Sequence, residues 1–113
     1  MAKKKREHLA FHVPQELRER AEAIIEKVRA DETPKAHADE LIEIIVELTH
    51  TGLNSYFLVP LQRVEVGALA MGTARVGVGA AGKSLPTLVR RVLGKMNDEQ
   101  LREIVEVMDE MLV

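Results

Sequence analysis

The sequence predicts a mainly α-helical fold, a bundle of about five helices preceded by a short N-terminal β-strand or extended arm. Three observations carry this expectation. Apolar residues make up 46% of the 113 positions but aromatic ones only 3%, so the core must be built from Leu, Ile, Val, Ala and Met. Apolar positions recur at three- and four-residue steps over most of the chain, the period of a helix with one buried face. The turn signals are spaced for helices, with Pro or an Asx/Ser/Thr residue opening each periodic run.

The length fits one domain, with residues 1–7 as a basic arm and 8–113 as a single helical unit. Within that unit, 8–52 read as a strand plus a helical pair. Residues 60–113 read as a Gly/Ala-rich helix plus a C-terminal helical hairpin. Leu9, Phe11 and Val13 alternate with His8, Ala10 and His12 at strand period, and Pro14 ends the run. Leu17, Ala21, Ile24, Ile25 and Val28 then form one face of a first helix. After an Ala30–Thr33 turn, a second helix is expected to carry Ala38, Leu41, Ile42, Ile45 and Leu48 inward and to end at Gly52.

Leu53–Val59 reads as a linker, because Val59 precedes Pro60. A third helix follows, rich in glycine: five of the seven glycines lie between Gly67 and Gly82. Inside a helix each costs about 1 kcal/mol relative to Ala, so close packing should offset the loss. Gly67, Ala70, Ala74, Gly77 and Ala81 follow a 3-4-3-4 step and form one smooth stripe, the expected helix-packing interface. Ser84 is read as the cap of a fourth helix with Leu85, Leu88, Val89, Val92 and Met96 on one face and Arg90, Arg91 and Lys95 toward the other. Asn97 and Gln100 form a capping box that opens the last helix. In it Leu101, Ile104, Val105, Met108 and Met111 turn inward, and Glu99, Glu103, Glu106 and Glu110 form an acidic stripe expected to flank the preceding basic one.

Gly77–Ser84 fits G-x-x-x-x-G-K-[ST] in full, and in a phosphate-binding loop Gly77, Gly82, Lys83 and Ser84 would hold a nucleotide. That loop must follow a buried strand, whereas Ala74–Val76 is short and contains Arg75. About thirty residues remain after it, too few for further βα units. Glycines at these positions are better explained by packing, and no cofactor is expected. Glu47 and His50 have the spacing of one half of a di-metal site, but no second copy exists and no metal is expected. No Ser–His–Asp order or closely paired carboxylates stand out, so catalysis is not expected. Cysteine is absent, in keeping with a cytoplasmic protein. The Lys3–Arg6 run has no apolar segment after it, and Val66–Ala74 is too short to span a bilayer.

Charge is unevenly distributed. Residues 1–20 hold six basic and three acidic side chains, and residues 21–50 hold three basic and eight acidic. The run His8–Val13, then Pro14–Leu17 and two amphipathic helices resembles the ribbon-helix-helix family of DNA-binding proteins over residues 8–48. The resemblance implies a dimer whose paired strands enter the major groove of double-stranded DNA. It would turn His8, Ala10 and His12 toward the bases and bring Lys3, Lys4, Lys5 and Arg6 to phosphates. The leading expectation is different: a non-catalytic homo-oligomer, most simply a dimer, acting as a scaffold or adaptor through helix packing with itself or a protein partner. DNA binding is the alternative. Association with a membrane or lipid-granule surface, and nucleotide binding at 77–84, are lesser ones.

Overall fold

The computed structural model describes residues 10–112, and they are almost entirely helical. Helix α1 spans Gln15–Ala30, α2 Ala38–Leu53, α3 Val59–Arg63, α4 Ala68–Leu93 and α5 Asp98–Met111. A 3-10 turn, Pro34–His37, leads into α2, and a π turn, Asn54–Leu58, joins α2 to α3 without a break in helical backbone. The expected linker at 53–59 is therefore helix, and α2 runs through Gly52 instead of stopping there. Pro60 explains the π turn. It has no N–H to give, and its ring would strike the carbonyl four residues back. The Val59 N–H accordingly reaches five residues back, to the Asn54 carbonyl.

Counting α2–α3 as one run, the fold has four helices where five were expected. The missing boundary is at Ser84. Instead of capping a new helix, its hydroxyl donates to the Ala80 carbonyl at 3.3 Å from within α4. Pro86 is likewise internal to α4. The chain reverses between α3 and α4 at 64–67, where Glu65 has φ of 52° and Gly67 has φ of 97°. Only glycine takes the latter conformation readily, so Gly67 marks the start of α4.

Among the described residues there is no strand. The anticipated strand at 8–13 lies partly outside them, and Ala10–Pro14 run as non-helical chain with no paired edge. A strand needs a neighbour to share its hydrogen bonds, and a helical chain offers none. Phe11 instead lies over Gly52, where an added Cβ would come within 3.3 Å of its ring, and meets Tyr56 edge-on at 5.4 Å. Gly52 thus serves as a seat for Phe11.

The core collects Ala21, Ile24, Ile25 and Val28 of α1, Leu41, Ile42 and Ile44 of α2, Leu93 of α4, and Leu101 and Val105 of α5. Ile44 is fully buried, whereas Ile45, the expected core residue, is half-buried. The helices lie in the order α4–α2–α1–α5, with α4 packed on α2 and α5 on α1. The last helix opens as expected: the Asn97 side chain accepts from the Gln100 N–H at 2.8 Å, and Gln100 Oε1 accepts from the Asn97 N–H at 3.0 Å. Such a cap contributes about 1 kcal/mol.

Ion pairs tie the bundle at its polar edges. Arg29 of α1 donates to Glu106 at 2.7 Å and to Asp109 at 2.8 Å, both on α5, and Arg90 of α4 donates to Asp39 of α2 at 2.6 Å. Of the acidic stripe of α5, Glu106 therefore meets α1 and not the basic stripe of α4, because α4 and α5 diverge from Gly94–Asn97 to pack on different partners. The joint between α1 and α2 is pinned at Asp31. Its carboxylate accepts from the Thr33 N–H at 2.9 Å and lies 2.7 Å from His37 Nε2, and its carbonyl accepts from Arg102 at 3.0 Å. The Thr33 amide first, then His37, hold the Asp31 carboxyl below its usual value, and hydrogen bonds from Arg29 do the same for Glu106. Carboxylates lowered in the folded state stabilise it above their ordinary pKa, and that stability is lost as pH falls through the folded value. The unfolding temperature should therefore drop as pH falls from 5 toward 3 in a calorimetric series. Arg29→Gln should flatten the part of the drop that belongs to Glu106.

Candidate interaction surface

Helices α2 and α3 with their π turn run antiparallel to the 26-residue α4, forming one long helical hairpin. Helices α1 and α5 cover only its lower half. All the buried core positions of α2 precede Leu48, and no residue from Leu53 to Thr73 is fully buried. The upper half, from the π turn through the first half of α4, is thus a two-helix arm projecting past the core. Within the arm the helices meet through Ala74 and Val78, the two buried residues of this part of α4. An unsupported helical pair is marginal in water, since tertiary packing provides most helical stability.

The arm carries large apolar side chains on its outside. Leu69 is 87% exposed, Val76 74%, Val64 69% and Phe57 47%. Further down α4, Leu88 at 58% and Val92 are also open to solvent. From Leu48 to Asn97 the chain has one acidic residue, Glu65. Monomeric surfaces normally scatter such side chains singly, and contiguous apolar area marks contact with a partner.

The expected small-residue stripe is placed differently from its sequence pattern. Of Gly67, Ala70, Ala74, Gly77 and Ala81, only Ala74 is buried in the chain. The face of α4 on α2 runs instead through Met71, Ala74, Val78, Gly82, Leu85, Val89 and Leu93, one step round the helix. Gly82 is needed there, because an added Cβ would lie 3.2 Å from the His50 ring. Gly72, Gly77 and Gly79 have nothing within 4 Å of an added Cβ. The true face carries larger side chains, Met71, Val78, Leu85, Val89 and Leu93, with only Ala74 and Gly82 small, so a pattern of small residues does not find it. Gly72→Ala and Gly79→Ala should each gain about 0.5–1 kcal/mol of helix stability, read as a rise of a few degrees in unfolding temperature. Gly82→Ala should gain less, since His50 must move.

The other candidate residues are dispersed. Gly77, Gly82, Lys83 and Ser84 sit within continuous α4, where backbone amides are engaged in helical hydrogen bonds and do not converge on one point. Glu47 pairs with Arg20 of α1, and His50 faces Gly82. No group of three or more potential metal ligands occurs among the described residues. Lys3, Lys4, Lys5, Arg6 and His8 lie outside the described residues, and Ala10 and His12 are exposed. No helix among the described residues is long and apolar enough to cross a membrane. The chain matches no family model, no curated protein and no solved structure.

Proposed function

We propose that this protein is a non-catalytic helical scaffold that works by assembling through the hairpin arm and the outer face of α4. The observation that carries this reading is the exposure of Leu69 and Val76 on a helix packed on one side only. Burying a Leu or Val side chain contributes about 1.5–3 kcal/mol. A surface left with several of them in one patch is suited to a contact and poorly suited to solvent. The body formed by α1, α2 and α5 supplies a rigid base, and the arm presents the contact. Sedimentation equilibrium of the full chain from nanomolar to high micromolar concentration tests the reading. A concentration-dependent rise in mass above 12.6 kDa supports it; a single monomeric species throughout that range opposes it.

A second reading is DNA binding through the N-terminal segment. It is favoured by the alternation of exposed Ala10 and His12 with half-buried Phe11 and Val13. Deletion of residues 1–7 should then weaken duplex binding and flatten its dependence on salt, since phosphate contacts release counterions. Fluorescence anisotropy on mixed genomic duplexes at low salt reads this out, and absence of any binding by the full chain removes it.

A further inference from the structure

We infer that the outer face of α4 receives the outer face of α5 from a second copy of this chain, a head-to-tail contact in which basic meets acidic. This rests on the scaffold reading above and adds the surface that docks on the arm. Leu69, Gly72, Arg75, Val76, Gly79 and Lys83 share one exposed side of α4 at helical spacing. Nothing lies within 4 Å of a Cβ added at Gly72 or Gly79, so another helix can come close between the two cations. Helix α4 has no acidic residue. Its Arg90 is taken by Asp39, whereas Arg75 and Lys83 have no partner among the described residues. The side of α5 turned away from α1 is the opposite in charge: Glu103 and Glu110 are exposed beside Val107, which is 52% exposed, and Met111, which is 74% exposed. Arg29 occupies Glu106 and Asp109, and the one cation of α5, Arg102, donates to the Asp31 carbonyl. Glu103 and Glu110 have no partner among the described residues.

Within one chain these two faces stay apart, because α4 packs on α2 and α5 on α1. The segregation of charge is general. Residues 48–97 hold six Lys or Arg against one acidic residue, and residues 98–112 hold six Asp or Glu against one Arg. Pairing α4 with a second α4 would give Arg75 and Lys83 no counter-ion, and α5 supplies two. Arg75 and Lys83 are eight residues apart, about 12 Å along the helix, and Glu103 and Glu110 are seven apart, about 10 Å. That match holds in either direction, and the apolar residues choose between them. Antiparallel, Glu110 comes to Arg75 and Glu103 to Lys83, which sets Val107 and Met111 on either side of Val76. Parallel, Glu103 falls on Val76 and Met111 on Lys83. The antiparallel contact therefore buries apolar against apolar and leaves the ion pairs at its edges, where charge fixes partner and direction more than strength. Because the two faces are unlike, the contact is heterologous, and it repeats from copy to copy.

Exchange of charge between the faces tests the contact. Lys83→Glu and Glu103→Lys chains, each checked for parental circular dichroism, should associate about tenfold or more weakly than the parent in sedimentation. An equimolar mixture of the two should recover the parental mass, because every contact between unlike chains then pairs opposite charges. Glu43→Lys changes net charge as Glu103→Lys does, at an exposed position on neither face, and should associate as the parent does. The chain has no cysteine, so introduced ones report the partner directly. Val76→Cys and Met111→Cys chains of different tagged size, mixed with a short bis-maleimide, should give the crossed product, and Val76→Cys alone should not link to itself. Single reversals that leave association unchanged, weakened singles that do not recover on mixing, or Val76→Cys self-linking without crossed product would each overturn the α5 contact while self-assembly stands. A parent chain that stays monomeric overturns both readings. A monomer that floats with phosphatidylglycerol vesicles does so too, and places anionic lipid on Arg75 and Lys83 instead.

Discussion

Leu69→Glu together with Val76→Glu should convert the assembled protein to a monomer while leaving its helical circular dichroism and unfolding cooperativity in place. Both side chains are largely in solvent, so the charges meet nothing in their own chain. Removing about 1.5–3 kcal/mol of burial at each place, and burying a carboxylate with no partner, should weaken association by at least 100-fold. Solution mass at micromolar concentration reads the effect. A double variant that assembles as the parent does would show that the arm is not the contact. Loss of the helical signal together with assembly would place these side chains inside the fold, contrary to their exposure.

The second large effect concerns the core. Ile44→Ala should destabilise the chain by about 2–5 kcal/mol, because a fully buried side chain leaves a cavity that its neighbours only partly fill. Ile45→Ala should cost clearly less, since Ile45 only rims the core. In a domain of this size each kcal/mol moves the unfolding temperature by about 4–8 °C, so calorimetry separates the two easily. Equal losses, or a larger loss at Ile45, would mean that α2 is rotated from the position described.

That pair also marks how far the fold can be read from the sequence. The core face of α1 was legible residue by residue, from Leu17 to Val28, because charged residues fill its other face and leave one solution. The capping box at Asn97 and Gln100 was legible too, being a local pattern with a local partner. Helix α2 was harder: Leu41, Ile42, Ile44, Ile45 and Val46 offer more than one apolar stripe, and contacts with α1 and α4 choose among them. At Gly52, Ser84 and Pro60 the helical boundaries differ from the local signals for a common reason. Each residue type usually ends or starts a helix, but Gly52 is fixed by Phe11, Ser84 by its bond to Ala80, and Pro60 by the π turn. Long-range packing overrode the local signal at the first and backbone continuity did so at the other two.

For the candidate site, the Gly/Ala-rich segment was legible as helix, but which of its sides packs within the chain was not. The glycines of 77–84 lie in that helix; Gly82 packs against His50, whereas Gly77 and Gly79 face open space. The exposure of Leu69 and Val76 could not be foreseen, because it depends on α1 and α5 stopping short of the arm.

The most direct measurement is the rate at which a thiol-reactive dye labels a cysteine placed at Val76, which is 74% exposed in the single chain. Labelling should slow several-fold as the protein is concentrated from nanomolar to tens of micromolar. An unchanged rate at Val76 over that range would contradict assembly through the outer face of α4.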